Sequence, residues 1–592
     1  MSVDNSDIKL PSSNTANPNQ LHLQSAKNVV ELLKIGFVTS LELIDIVEMR
    51  LKETDNVLHT TPITCFDRAR KAARDQVHPK SPKPGYLYGL PIFIKDCDAV
   101  SDVRWTEGSP LHRDRIAQLS DPIVTQLENM GAIVVGKTNT PEFCAGAHSF
   151  NTLFETTRSP YDTRTSAGGS SGGSAAALAG AQIWLATGSD LGGSLRIPAA
   201  FCGVVGFRCT PGRIPREMPT PRTTSDCRLP HYLYSVSGPL ARGVQDLALF
   251  LDAMTSEESI GGAAAFGWEG YPIPPSLPPP PSDETTGHWQ AAAKRGALCL
   301  GKLRIGFSTL GLEFSSDVLK ICRDAANVLA HIMSCTENDG SSEESFLCCD
   351  SSKIVVDKDK YSAIEIGSPF DLAAAERCFF IIRAASFHSE FNREYSTVEI
   401  STMKPEIQWN IACHLAARDP EHVLGEAVRE AKELFEQVNE KLFTERIDIL
   451  VTPATLDASF DHQLRYPTKD YGGINAEAEL KNYLEWMLPS CLISATSSPA
   501  MVLPAGKLTD GRPIGVQLVG KWGSDATVLE AAAALEANLG LGMDRGIAIP
   551  VKGRGKLRGF GPTTADEAAI HHSNAISLYR DKYIRKVQVN SL

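Results

Sequence analysis

Three Gly-Gly-Ser steps, at Ser170, Ser174 and Ser194, fall within one stretch, AGGSSGGSAAALAGAQIWLATGSDLGGSLRIPAA, running from Ala167 to Ala200. A serine attacks a carbonyl only when a base takes its proton and donors stabilise the oxyanion it creates. GGSSGG matches the letters of the G-x-S-x-G nucleophile elbow, centred on Ser170 or Ser171. The polar SPYDTRTSA before it is not the buried strand that elbow needs. Ser194, in G-G-S-L-R, does not match it by letter. None of the 14 histidines has a local feature that marks it as a base. Lys95, at the end of the apolar run Leu90–Ile94, is available instead. A lysine accepts a proton only as the neutral amine, and apolar surroundings favour that form.

Two other constellations compete for attention. GAIVVGKT, Gly131–Thr138, satisfies the phosphate-loop pattern G-x-x-x-x-G-K-[ST]. A working loop has a strand before the first glycine and a helix opening at the lysine. Here a helical segment precedes Gly131, Ala-Ile-Val-Val itself reads as the strand, and Pro141 follows soon after Thr138. The segment is therefore expected to be a buried strand and a loop. Cys144 and His148 stand four apart, but no second pair with zinc-like spacing lies near them. The pair His571-His572 falls in what reads as a C-terminal tail, where packing or solvent exposure is the simpler reading. No metal and no cofactor is expected.

The elements that must position these residues are legible in outline. Two helical patterns fill the region from Leu23 to about Asp55, split at Gly36, with Thr39 or Ser40 capping the second. An amphipathic helix is expected over Val244–Met254, with further helices at about 315–335, 370–395 and 420–445. Strands are expected at Leu90–Ile94, Ala132–Val135 and Leu303–Phe307, and within Arg446–Thr455 and Ser497–Gly520. Strands separated by helices imply an α/β core. Gly/Ser composition alone would make 167–200 a flexible linker, but AAALAGAQIWLA between its serines is apolar and helix-forming. Six prolines within Pro274–Pro281 mark an extended insertion.

Totals narrow the function class. The chain has 592 residues and a formal charge of −12, which disfavours nucleic acid as a partner. Its 14 cysteines form no C-x-x-C pair, and no run of 18 apolar residues is present. The polar N-terminus lacks the apolar core of a signal peptide. A reduced, cytoplasmic protein without an integral membrane segment is expected.

GGSSGGSAAALAG followed by GSDLGGSLRIPAAFCGVVGFRCTPGRI closely resembles the signature of the amidase signature family, read as its fungal or eukaryotic type. GLPIFIKD, GAIVVGKTNTPEF, SGPLARGVQDLALFLD, IDILVTPAT and GRPIGVQLVG resemble that family's other blocks, in the family's order. The resemblance implies one large α/β domain, a central mixed β-sheet covered on both faces by helices. That domain would span residues 21–550, with the Pro-rich insertion at about 255–300, a disordered polar tail at 1–20 and an extension at 551–592.

It also implies a Ser–cis-Ser–Lys triad, with Lys95 as base, Ser170 as the bridging serine after a cis peptide bond, and Ser194 as nucleophile. The N–H groups of Leu191, Gly192, Gly193 and Ser194 match the family's oxyanion hole. Asp190 and Arg196 match braces of that loop, and Cys144, with Ser170, is placed at the substrate. The implied reaction is hydrolysis of the C–N bond of a small-molecule amide. Acyl transfer by the same triad and a non-catalytic binding role are the alternatives, and a homodimer is left open.

Overall fold

A computed structural model describes residues 18–215, 234–255, 287–297, 302–334, 362–472, 479–539, 557 and 561–585. Most of the expected N-terminal tail, the Pro-rich insertion and the start of the C-terminal extension lie outside the described residues.

Eleven strands form one mixed sheet. In chain order they are β1 (Ile63–Thr64), β2 (Pro91–Lys95), β3 (Ile133–Thr138), β6 (Leu185–Asp190), β7 (Val205–Arg208), β8 (Val236–Ala241), β9 (Ile305–Phe307), β10 (Ile364–Glu365), β11 (Ile449–Pro453), β12 (Ala500–Lys507) and β13 (Pro513–Gly520). A separate short ribbon pairs β4 (Arg158–Ser159) with β5 (Asp162–Ser166). The large sheet is ordered β1-β3-β2-β6-β8-β7-β12-β13-β11-β9-β10. Its strands are short, and every residue of β2, β3 and β6 is buried. That is the pattern of strands covered on both faces by helices.

Strand β2 runs parallel to both neighbours, β3 and β6. Parallel neighbours finish at the same edge of the sheet, so Lys95, last in β2, and Asp190, last in β6, emerge on one side. Ligand sites of α/β sheets gather at the carboxyl ends of strands. The helix Gly172–Ala179 lies against β2, β3, β6 and β8 with all eight residues buried. Its small side chains make this approach possible: a Cβ on Gly173 would stand 2.5 Å from the Asn139 nitrogen.

The other expected elements appear within a few residues of their anticipated ends. Thr39 is the cap of the Ser40–Leu58 helix, in a capping box with Glu42. The Val244–Met254 helix is present. One expectation changes. His571 and His572 do not sit in a tail but in a helix, Ala565–Tyr579, started by a Thr564–Glu567 capping box and packed on the Pro405–Leu415 helix. His572 is buried, stacked on Tyr466 with its Nε2 2.9 Å from the Tyr466 hydroxyl.

Candidate active site

Strand β2 carries Lys95 inward, fully buried. Its backbone N–H donates to Thr187 Oγ1 on β6 at 3.0 Å, and its Nζ donates to Ser170 Oγ at 2.6 Å and to Ser189 Oγ at 2.8 Å. The acid next to it, Asp96, is taken by another cation: Lys137 Nζ is 2.6 Å from Asp96 Oδ1, with both side chains buried. Thr106 also donates to Asp96, from its hydroxyl and its N–H. The lysine of the phosphate-loop look-alike is thus an ion-pair partner inside strand β3. Lys95 is left facing hydroxyls, the arrangement a proton relay requires.

Ser170 follows a cis peptide bond from Gly169 and is buried. The next residue, Ser171, donates its N–H to the Ser194 carbonyl at 3.1 Å, which ties the two serine loops together. Ser194 is 7% exposed. Among the described residues its hydroxyl takes no hydrogen bond, from Ser170 or from any other group.

The loop carrying Ser194 is built around Asp190. Arg196 donates to both Asp190 oxygens, from Nε at 3.0 Å and from Nη2 at 2.9 Å. Gly193 and Leu195 donate their N–H groups to the same carboxylate at 2.9 and 3.1 Å. Burial acts to raise the Asp190 carboxyl, but Arg196, Arg208 and the Gly193 N–H outweigh it and hold the group well below the usual range. Arg196 is itself saturated, reaching the Ser490 carbonyl, Gln517 Oε1 and Ser494 Oγ. Asp190 and Arg196 are braces, joining the loop to the 488–495 helix and to β13.

This arrangement changes the count of donors available to an oxyanion. Gly193 has a φ of +116°, and a Cβ there would meet Ser490 Cβ at 2.5 Å, so only glycine fits. Its N–H, however, points at Asp190 and is spent on that carboxylate. The N–H groups of Leu191, Gly192 and Ser194 take no acceptor among the described residues.

Cys144 is half-buried with a positive φ of 56°, its Sγ 3.2 Å from Thr140 Oγ1. It interacts with the Cys97 thiol, whose hydrogen bond, aided by Lys95 and Thr140, lowers the Cys144 thiol against the effect of burial. Cys97 in turn lies 3.7 Å from Ser189 Oγ, so Cys144 borders the lysine side of the site. His148 is far from any ligand role: buried, its Nδ1 is 2.6 Å from Ser166 Oγ, and burial lowers the ring to about 3. Among the described residues, no group of three or more His, Cys, Asp or Glu could hold a metal ion.

Sequence reasoning missed Ser189 and Thr187. Alternation along β6 was the available signal, since residues two apart share a face, and both hydroxyls meet Lys95.

Residues 42–263 and 350–529 match the family model described as Amidase. An acylamidase from Rhodococcus erythropolis is 29% identical over 463 residues, covering 77% of this chain and 82% of that protein. The glutamyl-tRNA(Gln) amidotransferase A-subunit of Shouchella clausii is 26% identical over 519 residues, 86% of this chain and 95% of the relative. Its counterpart from Natranaerobius thermophilus reaches 36% identity over 241 residues, 40% of this chain and 48% of its own length. Among solved structures, a bacterial aryl acylamidase of the amidase signature family superposes with a TM-score of 0.68 at 21% identity, covering 90% of this chain and 99% of that one. The chain belongs to the amidase signature family. It is an amide-hydrolysing enzyme by that membership.

Among the described residues no helix is long and apolar enough to cross a membrane.

Proposed function

We propose that the protein cleaves the C–N bond of a small-molecule carboxylic amide through an acyl-enzyme on Ser194. The carrying observation is the 2.6 Å contact between Lys95 Nζ and Ser170 Oγ, beside a Ser194 loop held by the Ser171 N–H. The neutral Lys95 amine takes the Ser170 proton as Ser170 takes that of Ser194. Ser194 Oγ adds to the carbonyl carbon, and the oxyanion lies against the N–H groups of Leu191, Gly192 and Ser194. Collapse breaks the C–N bond, and the leaving amine departs with the proton returned through Ser170. Water then adds to the ester, its proton follows the same route, and the acid is released with Ser194 restored.

The unmade Ser170–Ser194 bond fits this sequence, because such bonds often tighten only once substrate is bound. Ser189 holds Lys95 as a second hydroxyl partner and positions it. Cys144 contributes to the substrate wall. Measuring amine release from acetamide, aryl-acetamides and long-chain amides tests the reading. Turnover of at least one class, abolished in Ser194→Ala, supports it, and activity persisting in Ser194→Ala contradicts it. Added amine nucleophile in the same assay distinguishes hydrolysis from acyl transfer by the product formed.

A further inference from the structure

Arg383 lies in the middle of the Leu372–Glu394 helix, within the apolar run CFFIIRAASF, and is only 5% exposed. A guanidinium carries five N–H donors in a fixed plane. Among the described residues it makes one hydrogen bond, from Nη2 to the Tyr483 hydroxyl at 2.9 Å. Its Nε is buried without an acceptor, and the side chain forms no ion pair with a described residue. The Phe387 ring, 4.4 Å from the guanidinium carbon, covers one face but accepts none of the in-plane hydrogens. Three carboxylates of this neighbourhood are matched by other cations: Asp190 by Arg196, Glu406 by Arg465 and Glu376 by Lys582. Glu142 accepts instead from the Ser109 hydroxyl and the Lys404 N–H. A buried charge without a counter-charge is costly, and a buried unsatisfied donor calls for an acceptor.

Tyr483 adds a second donor. Its oxygen accepts from Arg383 and from Asn410 Nδ2 at 2.7 Å. With both acceptor positions filled, its own O–H hydrogen remains to be donated.

The place of this pair in the fold links it to the reaction. One turn before Arg383 on the same helix face, Phe379 Cζ lies 2.8 Å from where a Gly192 Cβ would stand. Cys491, on the 488–495 helix, donates to the Gly192 carbonyl at 3.5 Å and feels the Arg383 charge. On the other side, Tyr483 borders Gly146, two residues beyond Cys144. Arg383 and Tyr483 therefore stand between the Gly192 loop that precedes Ser194 and the loop of Cys144 and Gly146.

We propose that Arg383 and Tyr483 form an anion-binding subsite that selects amides whose acyl part carries a second, terminal carboxylate. This deepens the amide-hydrolase reading above and rests on it. The experiment compares monoamides of four- to six-carbon dicarboxylic acids with the methyl-terminated amides of equal length. The carboxylated member of at least one pair is expected to show a kcat/KM higher by roughly tenfold or more, the worth of a hydrogen-bonded charge pair. Arg383→Met should collapse that ratio, mainly through KM, while a fluorophosphonate still labels Ser194. If that variant is not labelled, Arg383→Lys and Tyr483→Phe replace it, and each should lower the ratio. Hydrolysis of the neutral amides with no preference for the carboxylated ones overturns the subsite and leaves the amidase reading intact. A preference that survives all three substitutions overturns it equally. Failure to cleave any amide overturns the parent reading and this one with it.

Discussion

Lys95 Nζ stands 2.6 Å from Ser170 Oγ although 75 positions separate the two residues. Two local choices make that contact. The apolar β2 strand delivers the lysine to the carboxyl edge of a parallel pair, and the Gly172–Ala179 helix, buried along its whole length, presents Ser170 from its N-terminal side. Asp96, which would otherwise hold the neighbouring ammonium, is engaged by Lys137.

Replacing Lys95 by Ala removes the base and leaves the pocket walls in place. Turnover is expected to fall by about 10²–10⁴, the usual worth of a positioned acid–base group, with a much smaller change in KM. Steady-state kinetics on the best amide of the panel checks this. A rise in KM with kcat retained would assign Lys95 to binding.

Ser189 holds Lys95 from the β6 side at 2.8 Å. Ser189→Ala is expected to lower kcat about five- to tenfold, the value of one hydrogen bond, and Ser189→Thr to restore it. Equal activity in the Ala variant would show that the contact does not position the amine.

The Asp190–Arg196 pair is buried at both ends. Arg196→Met takes from the buried Asp190 carboxylate its two-point partner and leaves Arg208 Nη1, 3.7 Å away, as its remaining cation among the described residues, at a cost of about 3 kcal/mol. Denaturant unfolding should show that loss, and Ser194 labelling should fall with it because Asp190 anchors Gly193 and Leu195. The Asp190 carboxyl is held below its unfolded value. Its contribution is therefore complete above about pH 4 and is lost only as the pH falls further.

Asp252 titrates in the opposite sense. Burial raises its carboxyl to about 7, although it accepts the N–H groups of Trp289 and Gln290. A group raised in the folded state binds more protons there, so it makes stability fall as the pH rises from about 4 to 7. Asp252→Asn removes that slope. The variant should gain on the order of 2–4 kcal/mol relative to the parent between pH 4 and pH 8. Urea unfolding of both proteins at the two pH values measures it, and a difference independent of pH would contradict the assignment.

The sheet could be read ahead of the structure because its signals are local, whereas the Lys95–Ser170–Ser194 constellation is implied by the resemblance to the family signature. Apolar runs mark β2 and β3, and glycines bracket the serines. Three features escaped for physical reasons. Gly193 was assigned to the oxyanion hole by its position, but a hydrogen-bond donor has one direction, and Asp190 takes it. Arg383 is invisible as a site because its meaning depends on which partners are missing around it, and sequence does not show that. The Ala565–Tyr579 helix did leave a trace, Thr564 followed by Glu567, the signature of a capping box. Its polar composition concealed the His572–Tyr466 stack that seats it.

The most direct test of the account is covalent. A fluorophosphonate should modify Ser194, identified by peptide mass spectrometry. That labelling should disappear in Ser194→Ala and slow by about 10²–10⁴ in Lys95→Ala, in step with turnover. Modification of any other serine, or labelling of Ser194 at full rate without Lys95, would contradict it.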